Sequence, residues 1–248
     1  MKQNIYDNQT FFDGYKKLRK NKDCANLILE KPCIFSLLPD LTNKSVLDMG
    51  CGYGENCKEF IRRGASFVKG IDISSKMLDV AVSENSDDRI IYGNKSMEDI
   101  QYIETKFDVI VSSLAVHYIS DFKRLTQDVF NLLNDSGIFI FSQEHPLTTA
   151  PINGVKWVKD NDNNIQYYCL SDYSATGKRT VSWIVDEVVK YHRTFSDIIN
   201  ALTDSGFYID KMVEPLPAEE IVSKNPAYKN GYHKPDFLVI KARKKLIL

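Results

Sequence analysis

The sequence predicts an α/β fold, a doubly wound parallel sheet with helices on both faces. Three observations predict it. Short apolar runs alternate with helical patterns from residue 45 onward. One run, Val46-Leu-Asp-Met, ends in alternate glycines that open into a helix. The next run ends in an acidic residue, Asp72, roughly 20 positions further on. Strands and helices alternating at this spacing favour a parallel sheet. Crossovers between parallel strands are right-handed, which narrows the topology to double winding.

Each element follows from its local pattern. Residues 1–45 read as helical and irregular, broken at Pro32 and Pro39. Residues 45–48 form a first strand, and 55–63 a helix stopped by Gly64. Residues 67–73 form a second strand. Ser74 or Ser75 caps the next helix, which carries Met77, Leu78 and Ala81. Residues 89–92 and 107–113 are the third and fourth strands. Phe122, Leu125, Val129 and Leu132 recur at helical spacing after Asp121. Gly137 ends that unit, and 138–142 is the fifth strand. Residues 157–159, 165–170, 179–185 and 188–194 read as hairpin strands. A helix over 196–205 stops at Gly206, and strands over 207–213 and 237–242 complete the sheet.

Composition narrows the class. The chain has 248 residues, 43% hydrophobic, enough for one sizeable core with a small lid. Its 32 Lys and Arg against 33 Asp and Glu give a formal net charge of −1, which offers no long-range field for nucleic acid. Five cysteines, none spaced as C-x-x-C, argue against a disulfide framework or a structural zinc site. The expected compartment is the reducing cytoplasm. No signal peptide and no membrane span are expected.

The glycine loop, Gly50-Cys51-Gly52-Tyr53-Gly54, lets a ligand approach the backbone closely. A dinucleotide loop of the G-x-G-x-x-G type wants its third glycine at position 55, where this chain has Glu. A pyrophosphate would be repelled by Asp48 and Glu55, whereas a cationic adenosyl donor is compatible with them. Asp72 is positioned to accept hydrogen bonds from ribose hydroxyls.

Four stretches carry a family resemblance: V-L-D-M-G-C-G-Y-G, G-I-D-I-S-S-K-M-L, F-D-V-I-V-S-S-L-A-V-H-Y and L-L-N-D-S-G-I-F-I-F-S. They resemble successive motifs of class I S-adenosylmethionine-dependent methyltransferases, chiefly over residues 40–145. The resemblance implies a Rossmann-like, seven-stranded, mostly parallel sheet with the last strand antiparallel. It implies S-adenosyl-L-methionine as cofactor and S-adenosyl-L-homocysteine as product. By the same resemblance Asp48, Gly50, Cys51 and Gly52 lie by the methionine part, Asp72 by the ribose, and Ile73 and Met77 by the adenine. Ser96 and Met97 stand where the family often has an Asp and a small residue, so a hydroxyl or backbone contact takes the carboxylate's place. Ser112 is expected near the methionine end, and Tyr6, Tyr15 and Arg19 over the cofactor. The layout implied is one domain: a helical cap (1–45), a cofactor-binding core (46–146), a lid insertion (147–193) and the completion of the sheet (194–248).

Methyl transfer needs alignment of nucleophile, methyl and sulfur, and a base only if the nucleophile must lose a proton. His117 and His145 follow strands, His192 ends the lid, and these three are the candidate bases. No local histidine pair has metal-ligand spacing, so no metal is expected. The expected function is methyl transfer to an O, N or C atom of a small molecule. The alternatives are a cofactor-binding protein without catalysis and, less favoured, a nucleotide-dependent oxidoreductase. The oligomeric state is not legible.

Overall fold

A computed structural model of the chain describes residues 3–153 and 156–245. The N-terminal part folds as a 3-10 turn (Ile5–Asp7), helix α1 (Gln9–Arg19), a π-helical turn (Asn26–Glu30) and helix α2 (Lys31–Leu37). The alternating part follows: β1 (Ser45–Met49), α3 (Glu55–Arg62), β2 (Phe67–Asp72), α4 (Ser75–Glu84), β3 (Ile90–Asn94), β4 (Phe107–Ser112), α5 (Phe122–Leu132) and β5 (Leu133–Glu144). A short helix α6 (Pro146–Thr149) leads to two hairpins, β6 (Trp157–Lys159) with β7 (Ile165–Tyr168) and β8 (Gly177–Trp183) with β9 (Val185–His192). The chain then runs through α7 (Phe195–Asp204), β10 (Phe207–Val213), α8 (Glu219–Lys224) and β11 (Phe237–Lys244).

Seven strands form one sheet in the order β10-β11-β5-β4-β1-β2-β3. β1 through β5 pair in parallel, and β11 is antiparallel to both β5 and β10. The last strand is therefore antiparallel, as expected, and it is inserted inside the sheet rather than at its edge. The central strands are buried on both faces: β1 reads Val-Leu-Asp-Met without an exposed position. Two apolar layers result. One packs Leu47, Ile110, Phe139 and Ile240 against α5 and α7, and the other packs Val46, Val68, Val111 and Val239 against α2 and α3.

Several expected boundaries shift for local reasons. β5 begins at Leu133, where it pairs with Phe107 before an irregularity in the ladder. β9 ends at His192 because Thr194 is taken by a capping box with Asp197 that starts α7. Ile184, at φ 65°, turns the chain between β8 and β9, so the expected strand over 179–185 stops at Trp183.

A cavity at the strand ends

Five parallel strands, β1 to β5, point their carboxyl ends at one cavity of about 420 Å³, where open α/β sheets place ligands. Its floor at one end is the glycine loop. The N–H groups of Gly50 and Cys51 both donate to the Ile71 carbonyl, at 2.8 and 3.0 Å, which ties the loop to β2. Gly50 holds φ 74°, and a Cβ there would come within 2.6 Å of the Ala115 Cβ. That position therefore requires glycine on both conformational and steric grounds. Gly52 N–H donates to Asp72 Oδ2 and Ser74 N–H to Oδ1, both at 2.9 Å. The Asp72 carboxylate is locked in orientation, and each oxygen keeps a lone pair free for a second donor. Burial raises its pKa, opposed by these backbone bonds.

The cavity brings together most of the cofactor residues expected from the sequence. Tyr6, Tyr15, Arg19, Gly50, Cys51, Gly52, Asp72, Ile73, Met77, Ser96 and Met97 all line it. Two, Asp48 and Ser112, do not line it. Asp48 is fully buried behind the loop, where it accepts a hydrogen bond from the Cys57 thiol at 3.4 Å. Burial pushes its pKa up to about 7. Ser112 donates to the Met49 carbonyl at 2.8 Å and cross-ties β4 to β1; its neighbours Ser113, Leu114 and Ala115 line the cavity instead. Glu55 also lines the cavity, with its carboxylate engaged by both Arg19 and Lys31.

Two buried polar atoms are unpartnered among the described residues and belong to lining residues: the Tyr53 hydroxyl and Asn56 Oδ1. A glycine cradle, an oriented carboxylate and these two groups suit a ligand with an adenosyl part and a zwitterionic, hydrogen-bonding tail.

At the other end of the cavity lie His117, Tyr118, Ile119, Glu144, Trp183 and Phe237. The N-terminal segment roofs it. Gln3 exchanges two hydrogen bonds with the Val189 backbone on β9, at 3.1 and 2.7 Å. Asp7 accepts from Ser74 Oγ at 2.6 Å and from Lys76 N at 3.2 Å, at the start of α4. Tyr6 and Tyr118 bring their hydroxyls within 3.4 Å, and the Tyr15 and Trp183 rings lie 6.3 Å apart.

The three histidines do not converge. His117 alone reaches the cavity. It is buried, and desolvation lowers its pKa to about 4 despite the opposing charge of Glu144. Its Nδ1 accepts a long 3.5 Å bond from the Glu144 backbone N–H, which assigns the neutral ring's proton to Nε2. His145 caps α6 through Nδ1, accepting from Leu147 N at 3.2 Å, and its Nε2 meets Glu214 at 2.9 Å. His192 lies between Thr149 Oγ1 and the Tyr173 carbonyl, both at 2.8 Å. Both rings spend both nitrogens on the scaffold.

Two residues outside the sequence-stated candidates complete this end. Lys190 reaches from β9 to Glu144 Oε1 at 2.5 Å, and its Nζ sits 5.0 Å from the Trp183 ring centroid. A signal for Lys190 exists in the sequence. Val188, Lys190 and His192 share one face of a strand, and all three are buried. A lysine in such a set needs an acidic partner.

Comparison with known proteins agrees with this architecture. Residues 47–141 match the family model described as a methyltransferase domain. An uncharacterised protein of Haemophilus influenzae is 39% identical over 246 residues, covering 97% of this chain and 96% of its own length. The crystal structure of a S-adenosylmethionine-dependent methyltransferase from Mesorhizobium loti superposes with a TM-score of 0.81 at 33% identity, covering 89% of this chain and 98% of that one. A ubiquinone biosynthesis O-methyltransferase of Neisseria meningitidis is 35% identical over 107 residues, 42% of this chain and 45% of its own. Strand order, glycine cradle and full-length similarity lead to one assignment: the chain belongs to the class I S-adenosylmethionine-dependent methyltransferase family, and S-adenosyl-L-methionine is its cofactor.

Proposed function

We propose that the protein transfers the methyl group of S-adenosyl-L-methionine to a small molecule enclosed at the Glu144 end of the cavity. The observation that carries this reading is the continuity of one cavity from Gly50 and Asp72 to His117, Tyr118 and Glu144. A cavity of about 420 Å³ roofed in part by the N-terminal segment suits a small acceptor better than a polymer. The cofactor supplies a methyl group already activated on a sulfonium.

The protein's part is then binding, alignment and exclusion of water. Asp72 receives the ribose hydroxyls, and Gly50 lets the methionine part approach the backbone. Tyr53 and Asn56 offer their unpartnered atoms to the polar tail. Ile73, Met77, Ser96 and Met97 bound the adenine, with the Ser96 hydroxyl also accepting from Glu98 N at 3.2 Å. The roof formed by residues 3–15 and Trp183 keeps water from the reacting atoms. His117, neutral and carrying its proton on Nε2, orients the acceptor as a donor rather than abstracting a proton. The Neisseria relative is named an O-methyltransferase, which supports oxygen among the candidate acceptor atoms.

Calorimetric titration with S-adenosyl-L-methionine and with NAD tests the reading. The first should bind and the second should not, and Asp72→Ala should weaken the first by roughly 1–3 kcal/mol. Unchanged affinity in that variant removes Asp72 from the ribose site. A screen of a metabolite extract with methyl-labelled cofactor should yield a labelled small molecule; binding without any transfer would leave a cofactor-binding protein without catalysis.

A further inference from the structure

We propose that Glu144 is the general base of the transfer and that the acceptor is an uncharged aromatic hydroxyl compound. This rests on the methyltransferase reading above and specifies its acceptor half. Glu144 ends β5, the strand beside β4 in the sheet, and lines the cavity with its side chain 26% exposed. One carboxylate oxygen, Oε1, is fixed by Lys190. Oε2 has no hydrogen-bond partner among the described residues and is the oxygen available to an acceptor.

The surroundings define the acceptor. Tyr6, Tyr118, Trp183 and Phe237 give aromatic walls that suit a flat apolar body. The Glu144 charge is balanced by Lys190, which is itself buried against Trp183, so this end has no surplus charge to hold an ammonium or a carboxylate out of water. A carboxylate acceptor needs no base, and an amine attacks through its lone pair before losing a proton. A hydroxyl gains most from a carboxylate poised beside it. In the step, the acceptor oxygen forms the O–CH₃ bond as the S–CH₃ bond breaks and its electron pair passes to sulfur. The hydroxyl proton moves to Glu144 and then to solvent. The products are the methyl ether and S-adenosyl-L-homocysteine.

Groups facing Glu144 come from three directions: His117 and Tyr118 from the turn after β4, Lys190 from β9, and Lys234 from the loop before β11. Burial opposes ionisation of Glu144, whereas the charge and hydrogen bond of Lys190, with Lys234 behind it, favour it; His117, neutral above about pH 4, adds its charge only below that. Lys190 is therefore a positioning residue that keeps the base ionised.

The test uses the full chain, methyl-labelled S-adenosyl-L-methionine and a matched probe series: catechol, 2-naphthol, 2-naphthylamine and 2-naphthoate. Label should pass to the hydroxyl probes only. Glu144→Gln should lower kcat by about 10²–10⁴-fold while cofactor affinity is unchanged. Lys190→Met should move the acid limb of the kcat/KM profile to higher pH, because the base is active only when ionised and loses the cation that favours ionisation. Lys190→Arg should restore the limb. Methylation of the amine or carboxylate alone, or of no probe by a protein that binds cofactor normally, overturns this proposal and leaves the methyltransferase reading standing. Full activity in Glu144→Gln, or an unmoved limb in Lys190→Met, also overturns it. Absence of cofactor binding would overturn both readings.

Discussion

At the cofactor end, backbone groups of two adjacent strands set the geometry. The Ile71 carbonyl holds Gly50 and Cys51, and Asp72 holds Gly52 and Ser74, all within a span of 25 residues. At the acceptor end, geometry comes from side chains brought together over long separations. Gln3 meets Val189, Lys190 meets Glu144, and the Tyr6 and Tyr118 hydroxyls approach across the cavity. The first kind of site depends on local chain conformation. The second depends on how the hairpins and the N-terminal segment dock. One end can thus be damaged without the other, and that separation is what mutagenesis should probe.

The largest effect should come from Gly50→Ala. An L-residue at φ 74° is strained by roughly 1–2 kcal/mol, and the new methyl collides with the Ala115 Cβ, which adds about 1–3 kcal/mol. Cofactor titration and thermal unfolding should together register roughly 2–5 kcal/mol. For unfolding of the cofactor-free protein Gly52→Ala is the control, because its φ is 53° but a Cβ there meets no atom within 4 Å, so its stability should fall only by the conformational part. Equal losses at both positions would mean that steric approach to Ala115 is unimportant.

The contrast also explains what was legible in the sequence. Gly50, Asp72, Ile73 and Met77 fall in two contiguous motifs, and a short stretch of chain suffices to orient them. The seven-stranded sheet and its antiparallel last strand followed from the same family resemblance, whereas the strand order did not. His145 and His192 could not be placed that way. Each lies at a strand end, and only docking shows that Leu147, Glu214, Thr149 and Tyr173 occupy their ring nitrogens. Glu55 shows the same limit: its charge was visible, but its partners Arg19 and Lys31 arrive from α1 and α2. Glu144 was visible as a strand-end residue, yet its significance depends on Lys190, 46 positions later.

The next effect concerns Asp48, which separates residues that line the cofactor end from those that support it. Burial raises its folded pKa to about 7, above the ordinary carboxyl value of 3.8. The protonated form is favoured in the fold, so the stabilising contribution is full below the unfolded pKa and is lost as pH rises through about 7. Unfolding of the cofactor-free protein should show wild-type stability falling between pH 5 and pH 8 relative to Asp48→Asn, by up to roughly 3 kcal/mol. Cofactor affinity should change little, since Asp48 is not among the cavity-lining residues. Parallel pH dependence in the two proteins would mean that Asp48 is ionised in the fold, and a large loss of affinity would return it to the binding surface.

The smallest expected effect tests the acceptor end. His192→Ala leaves Thr149 Oγ1 and the Tyr173 carbonyl without their partner, in a place where both lie against a buried ring. Stability should drop by roughly 1–3 kcal/mol. Cofactor affinity should hold, because no strand of the cofactor end touches this ring. Turnover should fall only in proportion to the folded fraction, and lowering the assay temperature should recover it. A fold-stable variant with abolished turnover would contradict this. It would mean that the β8–β9 hairpin brings His192 to the chemistry by a movement, and the acceptor end would then be assembled on binding rather than preformed.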